Sequence, residues 1–484
     1  MNCRRNKKII ISFIYKFLER LIVKGIGLLI SIILARLLLP KQFGAIAILL
    51  VFIDIGQTFV QGGLNSALVQ SKETTLDDYS TVFFISLFTA IITIIILWIF
   101  APVIDIYYEK IGLVLPLRVF SLSLIFSAFN SIQVAKLQRE MKFKQIMICS
   151  TLASIISGII GIFAAFIEKN IWSLIIYYFS NTVITCFVMM FVSKWKPKLV
   201  FSVSRAKTLF SYGWKMLVSS ILCSLYNNIR SLIIGKLFSQ EDLAYYNRGQ
   251  QISDTVGNTL DITIQSVMFP VLSEVQDSDE RTLGLLKKTI SFGSFIIMPA
   301  MLGLAATSES LVSILLTDKW LPSVFYIEMI CIGNMTIPLV SSNLVAIKSM
   351  GKSDLYMKLE VIRRIAMLVV LSVSAIFFDS AKAIAIGYFI SAWLDFVIVA
   401  TTMNYELQYG VIEQFRTFYK SFFAAIIMCI VIKEIAYLKL CSLVILLLQI
   451  ICGIVLYSFM SIVLKNENIY ILKNILSRML KTSK

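Results

Sequence analysis

The sequence predicts an all-α polytopic membrane protein of about fourteen transmembrane helices. Three observations carry this expectation. The chain is 58% hydrophobic, where an ordinary soluble domain is about 45–50% apolar even with glycine counted. Only 15% of its residues are charged, against about 25% in soluble proteins. The apolar residues also fall into runs of roughly 20, the length a helix needs to cross a bilayer core, and mean hydropathy is +0.85.

The runs place spans, in order, over 20–39, 43–69, 79–101, 113–134, 145–167, 171–193, 209–234, 244–270, 289–315, 322–347, 355–378, 382–403, 417–437 and 440–464. The first has an amphipathic lead-in from Ile9. Its start, with Arg4, Arg5, Lys7 and Lys8, looks like the basic end of a signal peptide. No small-residue cleavage site follows closely and a second long span comes next, so an uncleaved first helix is expected. The connections are all too short to fold as separate soluble domains.

The net charge of +17 has two competing explanations, nucleic-acid binding or basic cytoplasmic loops. The placement of the charges decides between them. The N-terminal tail holds Arg4, Arg5, Lys7, Lys8 and Lys16, and every second connection after it is basic: Lys72, Lys136 to Lys144, Lys194 to Lys207, Arg281 to Lys288, Lys348 to Lys358, Arg416 and Lys420, then the tail from Lys465. These sites carry 28 Lys and Arg, while the seven alternate connections carry only eight: Lys41, Lys110, Lys169, Lys236, Lys319 and Lys382 singly, and Lys433 and Lys439 together. Lys and Arg in short loops stay cytoplasmic, so both termini are expected in the cytoplasm. The alternation supports the span count and explains the charge without nucleic acid.

Other chemistry is scarce. Histidine is absent, which removes His-based activation of a nucleophile and most zinc sites. The eight cysteines form no CxxC pair and most sit in apolar stretches, as small buried residues do. There is no Walker A sequence, no large extracytoplasmic loop and no readable nucleophile–base pair. A metal site is not expected.

An internal repeat is visible at a shift of 200 residues. Ser31–Leu37 lies over Ser231–Leu237, Asp54 over Asp254, and Asn65-Ser66 over Gln265-Ser266. Spans 1 and 2 thus recur as spans 7 and 8, six spans apart and in the same direction. Parallel halves of this kind are a transporter architecture. The division expected is a first lobe over 1–193, a cytoplasmic connection over 194–208, a second lobe over 209–403, and spans 13 and 14 with a basic tail over 404–484.

Two polar stripes run through the spans. Asp54, Gln57, Gln61 and Asn65 recur in span 2, and Gln251, Asp254, Asn258, Asp261 and Gln265 in span 8. Steps of three and four put each set on one helix face. Facing lipid, such a stripe would be very unfavourable, so each should line a polar cavity between the halves or pack against another helix. Cations form a second constellation: Lys24, Arg118, Lys215, Arg230, Arg248, Arg363 and Arg364 lie in or near spans. Those near span ends can snorkel to the interface. Arg118, Arg363 and Arg364 lie deeper, although Glu360 stands at ion-pair spacing from Arg364. Arginine's planar fork suits phosphate oxygens. Glu309, Glu328 and Asp395 add further intramembrane carboxyls.

Several runs resemble one family. Ala35-Arg36-Leu37-Leu38-Leu39-Pro40-Lys41-Gln42-Phe43-Gly44 is similar to a step in bacterial polysaccharide flippases of the multidrug/oligosaccharidyl-lipid/polysaccharide superfamily, the exporters of lipopolysaccharide, capsule and colanic-acid type. Gly62–Gln70, Leu137–Phe143, Tyr245-Tyr246-Asn247-Arg248 and Phe269–Asp277 resemble the same family, although Gly249 stands where Ala is expected. The motifs cover the first 280 residues; beyond them only topology agrees. The resemblance implies a flippase that carries an undecaprenyl-diphosphate-linked oligosaccharide across the cytoplasmic membrane for surface polysaccharide synthesis. Two six-helix lobes would stand in a V around a central cavity, with two helices beyond them. Arg118, Arg363, Arg364, Lys24, Lys215 and Arg248 are the candidates to hold the diphosphate, and the two polar stripes the candidates to line the cavity. No cofactor is implied; a proton or sodium gradient is the candidate driving force. The bilayer and a polysaccharide polymerase with its chain-length machinery are the candidate partners. The alternatives are a multidrug/cation antiporter, a peptidoglycan-precursor flippase and a membrane glycosyltransferase or polymerase. A cavity for cationic drugs should be net acidic, which this cation-bearing set is not.

Overall fold

The computed structural model describes residues 2–61, 63–65, 68, 74–109, 111–274, 278–438 and 440–469. Among them stand fourteen long helices, in the order of the expected spans. These are α1 (Asn2–Leu37), α2 (Pro40–Gln61), α3 (Leu76–Tyr107), α4 (Val114–Arg139), α5 (Phe143–Ile167), α6 (Ile171–Ser193) and α7 (Val203–Leu237). There follow α8 (Gln240–Glu274), α9 (Asp279–Leu315), α10 (Ser323–Ser349), α11 (Ser353–Phe377), α12 (Ala381–Leu407), α13 (Val411–Glu434) and α14 (Ser442–Val463). Among the described residues, eleven segments are long and apolar enough to cross a membrane. Helices α1, α8 and α11 fall outside that set. They carry Arg20 and Lys24, the second polar stripe, and Glu360, Arg363 and Arg364, and this density of polar groups lowers their apolarity.

The helices are apolar on the outside and small or polar within. On α5, Ile159, Phe163, Phe166 and Ile167 are more than 60% exposed, while Ser154 and Ser157 are buried. Gly158 and Gly161 lie so close to Ile30 and Tyr177 that a Cβ would come within 2.2 and 2.6 Å of those side chains. In water such an exterior would aggregate; in lipid it is the ordinary pattern, with small residues letting helices approach. This chain is a multi-pass membrane protein. Of the cysteines, Cys149, Cys186 and Cys331 are buried free thiols.

Local chemistry sets the helix ends and breaks. Thr75 and Asp78 form a reciprocal capping box at the start of α3, with Asp78 Oδ2 accepting from the Thr75 N–H at 2.8 Å. Helix α10 breaks between Asn334 and Ile337, just ahead of Pro338, whose ring cannot offer an N–H to the Asn334 carbonyl. Helix α4 breaks at Leu122.

Two compact units form, residues 1–244 and 245–484. In the first, α1 packs on α5, α5 on α6, α4 on α6, and α2 on α7. In the second, α9 is the central helix, packed by α10, α13 and α14, while α12 joins α10 to α11.

Candidate functional site

The first polar stripe divides between two neighbours. Asp54 serves α7: its Oδ2 accepts from Ser224 Oγ at 2.6 Å and from Asn228 Nδ2 at 2.9 Å. Gln57, Gln61 and Asn65 line a cavity of about 380 Å³ together with Ser127, Asn130, Ser131 and Gln138 of α4 and Asn181, Thr182 and Thr185 of α6. No residue of that lining carries a formal charge. The sequence expectation put Gln57, Gln61 and Asn65 around a cavity between the halves; the cavity they line here lies within the first unit, and its α4 and α6 walls were not anticipated. The α4 residues recur at helical spacing and include the amides Asn130 and Gln138, with Asn181 on α6, and these amides were the signal that could have found the other walls. The serines and threonines carry less, since such hydroxyls often bond their own backbone.

The second stripe meets α10. Asp254 Oδ1 accepts from Asn334 Nδ2 at 3.0 Å, and Asn334 Oδ1 accepts from the Tyr388 hydroxyl of α12 at 2.6 Å. Asn334 is 1% exposed and ends the first segment of broken α10. Gly333 permits this: a Cβ there would lie 2.8 Å from the Tyr388 ring. Asp261 Oδ1 accepts from Ser341 Oγ at 2.6 Å. Gln251 accepts from Arg248 Nη1 at 2.8 Å, and Asn258 is exposed. The Gln265 side chain lies outside the described residues.

The described cations differ in their immediate surroundings. Arg363 and Arg364 share Glu360, at 2.7 and 3.3 Å. Arg363 also bonds both oxygens of Asp395, Nη2 to Oδ2 at 2.8 Å and Nε to Oδ1. Two guanidinium groups thus meet two carboxylates, and the group is neutral as a whole. The Glu360–Arg364 pair expected from spacing is present. Arg118 donates to the Trp98 carbonyl of α3, from Nη2 at 3.2 Å. Arg248 is buried with its guanidinium 4.9 Å over the Trp320 ring. Lys24 is exposed on α1, and the Lys215 side chain lies outside the described residues. Glu328 pairs with Lys433 at 2.8 Å. In the turn before α10, burial pushes the Lys319 ammonium below its ordinary pKa.

Residues 33–325 match the family described as "Polysaccharide biosynthesis protein", which is more than half of the 484 residues. The chain belongs to this polysaccharide biosynthesis protein family. Among its relatives, "Succinoglycan biosynthesis transport protein ExoT" of Rhizobium meliloti (strain 1021) is 24% identical over 60% of this chain and 58% of that protein. "Lipopolysaccharide biosynthesis protein WzxC" of Escherichia coli (strain K12) is 22% identical over 64% of each. The chain therefore spans less than two thirds of the length of these two relatives. "Teichuronic acid biosynthesis protein TuaB" of Bacillus subtilis (strain 168) is 22% identical over 76% of each. Of solved structures, lipid II flippase MurJ in an inward closed conformation superposes with a TM-score of 0.76 at 15% identity, over 93% of this chain and 98% of that one. An inward-facing MATE family multidrug resistance transporter of the MOP superfamily follows at 0.61 and 13%, over 80% and 94%. At these identities the likeness is one of fold.

In this polysaccharide biosynthesis family member the resembling runs build junctions. Pro40 opens α2, and Gln42 bonds the Leu39 N–H and, at 2.8 Å, the Lys169 carbonyl. Gly44 passes the chain at Gln240 so closely that a Cβ would sit 1.9 Å from the Gln240 carbonyl oxygen. In Leu137–Phe143, Met141 takes a left-handed φ of 57° that turns the chain from α4 to α5, and Arg139 holds the Leu68 carbonyl at 2.8 Å. Tyr245 bonds the Lys319 carbonyl at 3.3 Å and stacks edge-on with Trp320. Parts of Gly62–Gln70 and Phe269–Asp277 lie outside the described residues.

Proposed function

We propose that this protein is a flippase, not an enzyme, that moves an undecaprenyl-diphosphate-linked oligosaccharide across the bacterial cytoplasmic membrane by alternating access. The observation that carries this is the joint match: a polysaccharide biosynthesis family model over residues 33–325, and a fold that follows a lipid II flippase over 93% of the chain. The relatives ExoT, WzxC and TuaB, named for succinoglycan, lipopolysaccharide and teichuronic acid biosynthesis, support the substrate class. The excess of Lys and Arg in alternate connections supports cytoplasmic termini.

For the diphosphate, Arg364 is the candidate whose surroundings suit it best, since 39% of its side chain remains exposed beside Glu360. Arg118, Arg363, Lys24, Lys215 and Arg248 complete the set, and a proton or sodium gradient drives the cycle. The test is complementation of a strain that lacks its own exporter but makes the lipid-linked precursor. Restored surface polymer, with the lipid-linked intermediate drained, is the expected result. Normal protein level with no polymer, and no movement of the lipid in proteoliposomes, would overturn the reading.

A further inference from the structure

The cavity between α2, α4 and α6 has a chemical sense set by how its polar groups are bonded. A carbonyl oxygen only accepts, so Asn130 must turn Nδ2 to the Thr182 carbonyl, at 3.1 Å. Ser157 donates its hydrogen to the Ser154 carbonyl, so Asn181 must offer Nδ2 to Ser157 Oγ, at 3.0 Å. The hydroxyls of Ser131, Thr182 and Thr185 each donate to a carbonyl of their own helix, at 2.9, 3.2 and 2.7 Å. Much of the wall's donor capacity is therefore committed to the backbone, and what these residues offer a ligand is mainly acceptor oxygen. Asn65 Oδ1 and Asn130 Oδ1 are buried with no hydrogen-bond partner, an unfavourable state that a donor from a ligand would relieve.

This disfavours the charged parts of the substrate. Phosphate and carboxylate oxygens are acceptors and carry negative charge, and the lining holds no cation to meet them. A sugar hydroxyl both donates and accepts. Gln57, Gln61 and Gln138 have amides able to serve the remaining ring and hydroxyl oxygens. The size agrees: 380 Å³ falls in the range of small-molecule sites, about 300–1,000 Å³, and far exceeds one water at roughly 30 Å³. The cavity also reaches Gln138, next to the end of α4 at Arg139, in the basic segment that the charge pattern assigns to the cytoplasm.

We infer that this cavity seats an uncharged sugar ring of the lipid-linked substrate, and that the diphosphate binds elsewhere. The inference rests on the flippase reading above. It is tested with the full chain in lipid nanodiscs and three prenyl-diphosphate probes. One carries a neutral disaccharide with a diazirine on its outer sugar, one the same disaccharide ending in a uronic acid, and one a diazirine on the prenyl chain and no sugar. Cross-links are mapped by mass spectrometry. The neutral probe should label 127–138 and 181–185, and the uronic acid probe should label them at least fivefold less. Asn65→Leu and Asn130→Leu should each weaken neutral-probe binding about fivefold, the net worth of one hydrogen bond. Both should keep wild-type binding of the sugarless probe, which certifies the fold. Thr185→Val, which keeps the shape, should lower neutral-probe binding in the same direction. Equal labelling by the uronic acid probe, or neutral-probe labelling unchanged in all three variants, would overturn the inference. If wild-type protein moves the lipid-linked oligosaccharide but its sugar labels other helices, only this inference fails. If wild-type protein neither binds nor moves it, the flippase reading fails with it.

Discussion

Tyr457 of α14 gives its hydroxyl hydrogen to the Phe295 carbonyl of α9 at 2.8 Å. Phe295 stands four residues before Pro299, which lies inside α9 and has no N–H to return the helical bond. The first unit repeats the device. Trp98 stands four residues before Pro102 inside α3, and its carbonyl accepts from Arg118 at 3.2 Å. No water reaches such a carbonyl in the bilayer core, so a neighbouring helix must supply the donor.

Removing that donor should be costly while the proline remains. Tyr457→Phe is expected to lower stability by about 1–3 kcal/mol, the cost of leaving a buried acceptor unpaired. Adding Pro299→Ala, which restores a backbone N–H, should recover most of the loss. Unfolding in detergent micelles across the four variants measures the coupling. Simple additivity of the two changes would refute the account.

Arg118 invites the same cycle with export as the readout. If its guanidinium serves the Trp98 carbonyl alone, Arg118→Gln should reduce surface polymer through lower protein level, and Pro102→Ala should rescue both. If it also holds the diphosphate, protein level recovers in the double variant while export stays low. The proposal of a diphosphate role predicts the second outcome.

Arg363 and Asp395 join α11 to α12, with side chains 15% and 25% exposed. Breaking one side of a largely buried pair leaves an uncompensated charge, at about 3 kcal/mol. Arg363→Gln and Asp395→Asn should each destabilise by roughly that amount. The double variant should be more stable than either single one in the same unfolding measurement. A double variant worse than both would show that the pair is not the relevant unit.

Gly44 and Gly333 set close approaches. Alanine at 44 would put its Cβ 1.9 Å from a backbone oxygen, and alanine at 333 would put its Cβ 2.8 Å from a flexible side chain's ring. Gly44→Ala should therefore abolish folded protein, while Gly333→Ala should be expressed but lose the Tyr388–Asn334 bond. Size-exclusion profiles of the two variants check this, and a normal profile for Gly44→Ala would contradict it.

The order and place of the helices were legible because apolar run length and loop charge are strong local signals. The Glu360–Arg364 pair was legible for the same reason, being one helical turn long. The partners that matter most were not. Asp54 finds Ser224, and Arg363 finds Asp395 on the next helix. No local period encodes such pairings. The resembling runs were legible as motifs, yet their contacts with Lys169, Leu68 and Trp320 are long-range. They turn out to fasten junctions. The cavity was partly visible: Gln57, Gln61 and Asn65 stood out as a stripe of large amides in one apolar helix, whereas Asn130, Gln138 and Asn181 stand among serines and threonines, which are common in any membrane helix.

Asp54 and Asp254 hold matching places in the internal repeat but differ in surroundings. Asp54 accepts from a hydroxyl and an amide of α7; Asp254 accepts from Asn334, which Tyr388 holds in turn. A carboxylate within a membrane helix is costly unless hydrated or paired, so each is a candidate to respond to an ion gradient. The Asp254 chain runs through three helices and meets α10 at its proline break, where a change of charge would reach the fold most directly. If a proton or sodium gradient drives the cycle as proposed, Asp254 is the carboxyl predicted to couple to it and Asp54 the one predicted to serve as a structural acceptor. Both bonds to Asp54 reach Oδ2, and an Asn oxygen placed there has two lone pairs to accept them, so Asp54→Asn should keep the response to an imposed gradient. Asp254→Asn should still let the lipid move down its own gradient but lose that response. Proteoliposomes with a pH or sodium jump, scored by the accessible fraction of lipid-linked oligosaccharide, separate the two. An ion response retained in Asp254→Asn and lost in Asp54→Asn would reverse the assignment, and one retained in both would move coupling to another carboxyl, with Glu328 and Asp395 next to be tested.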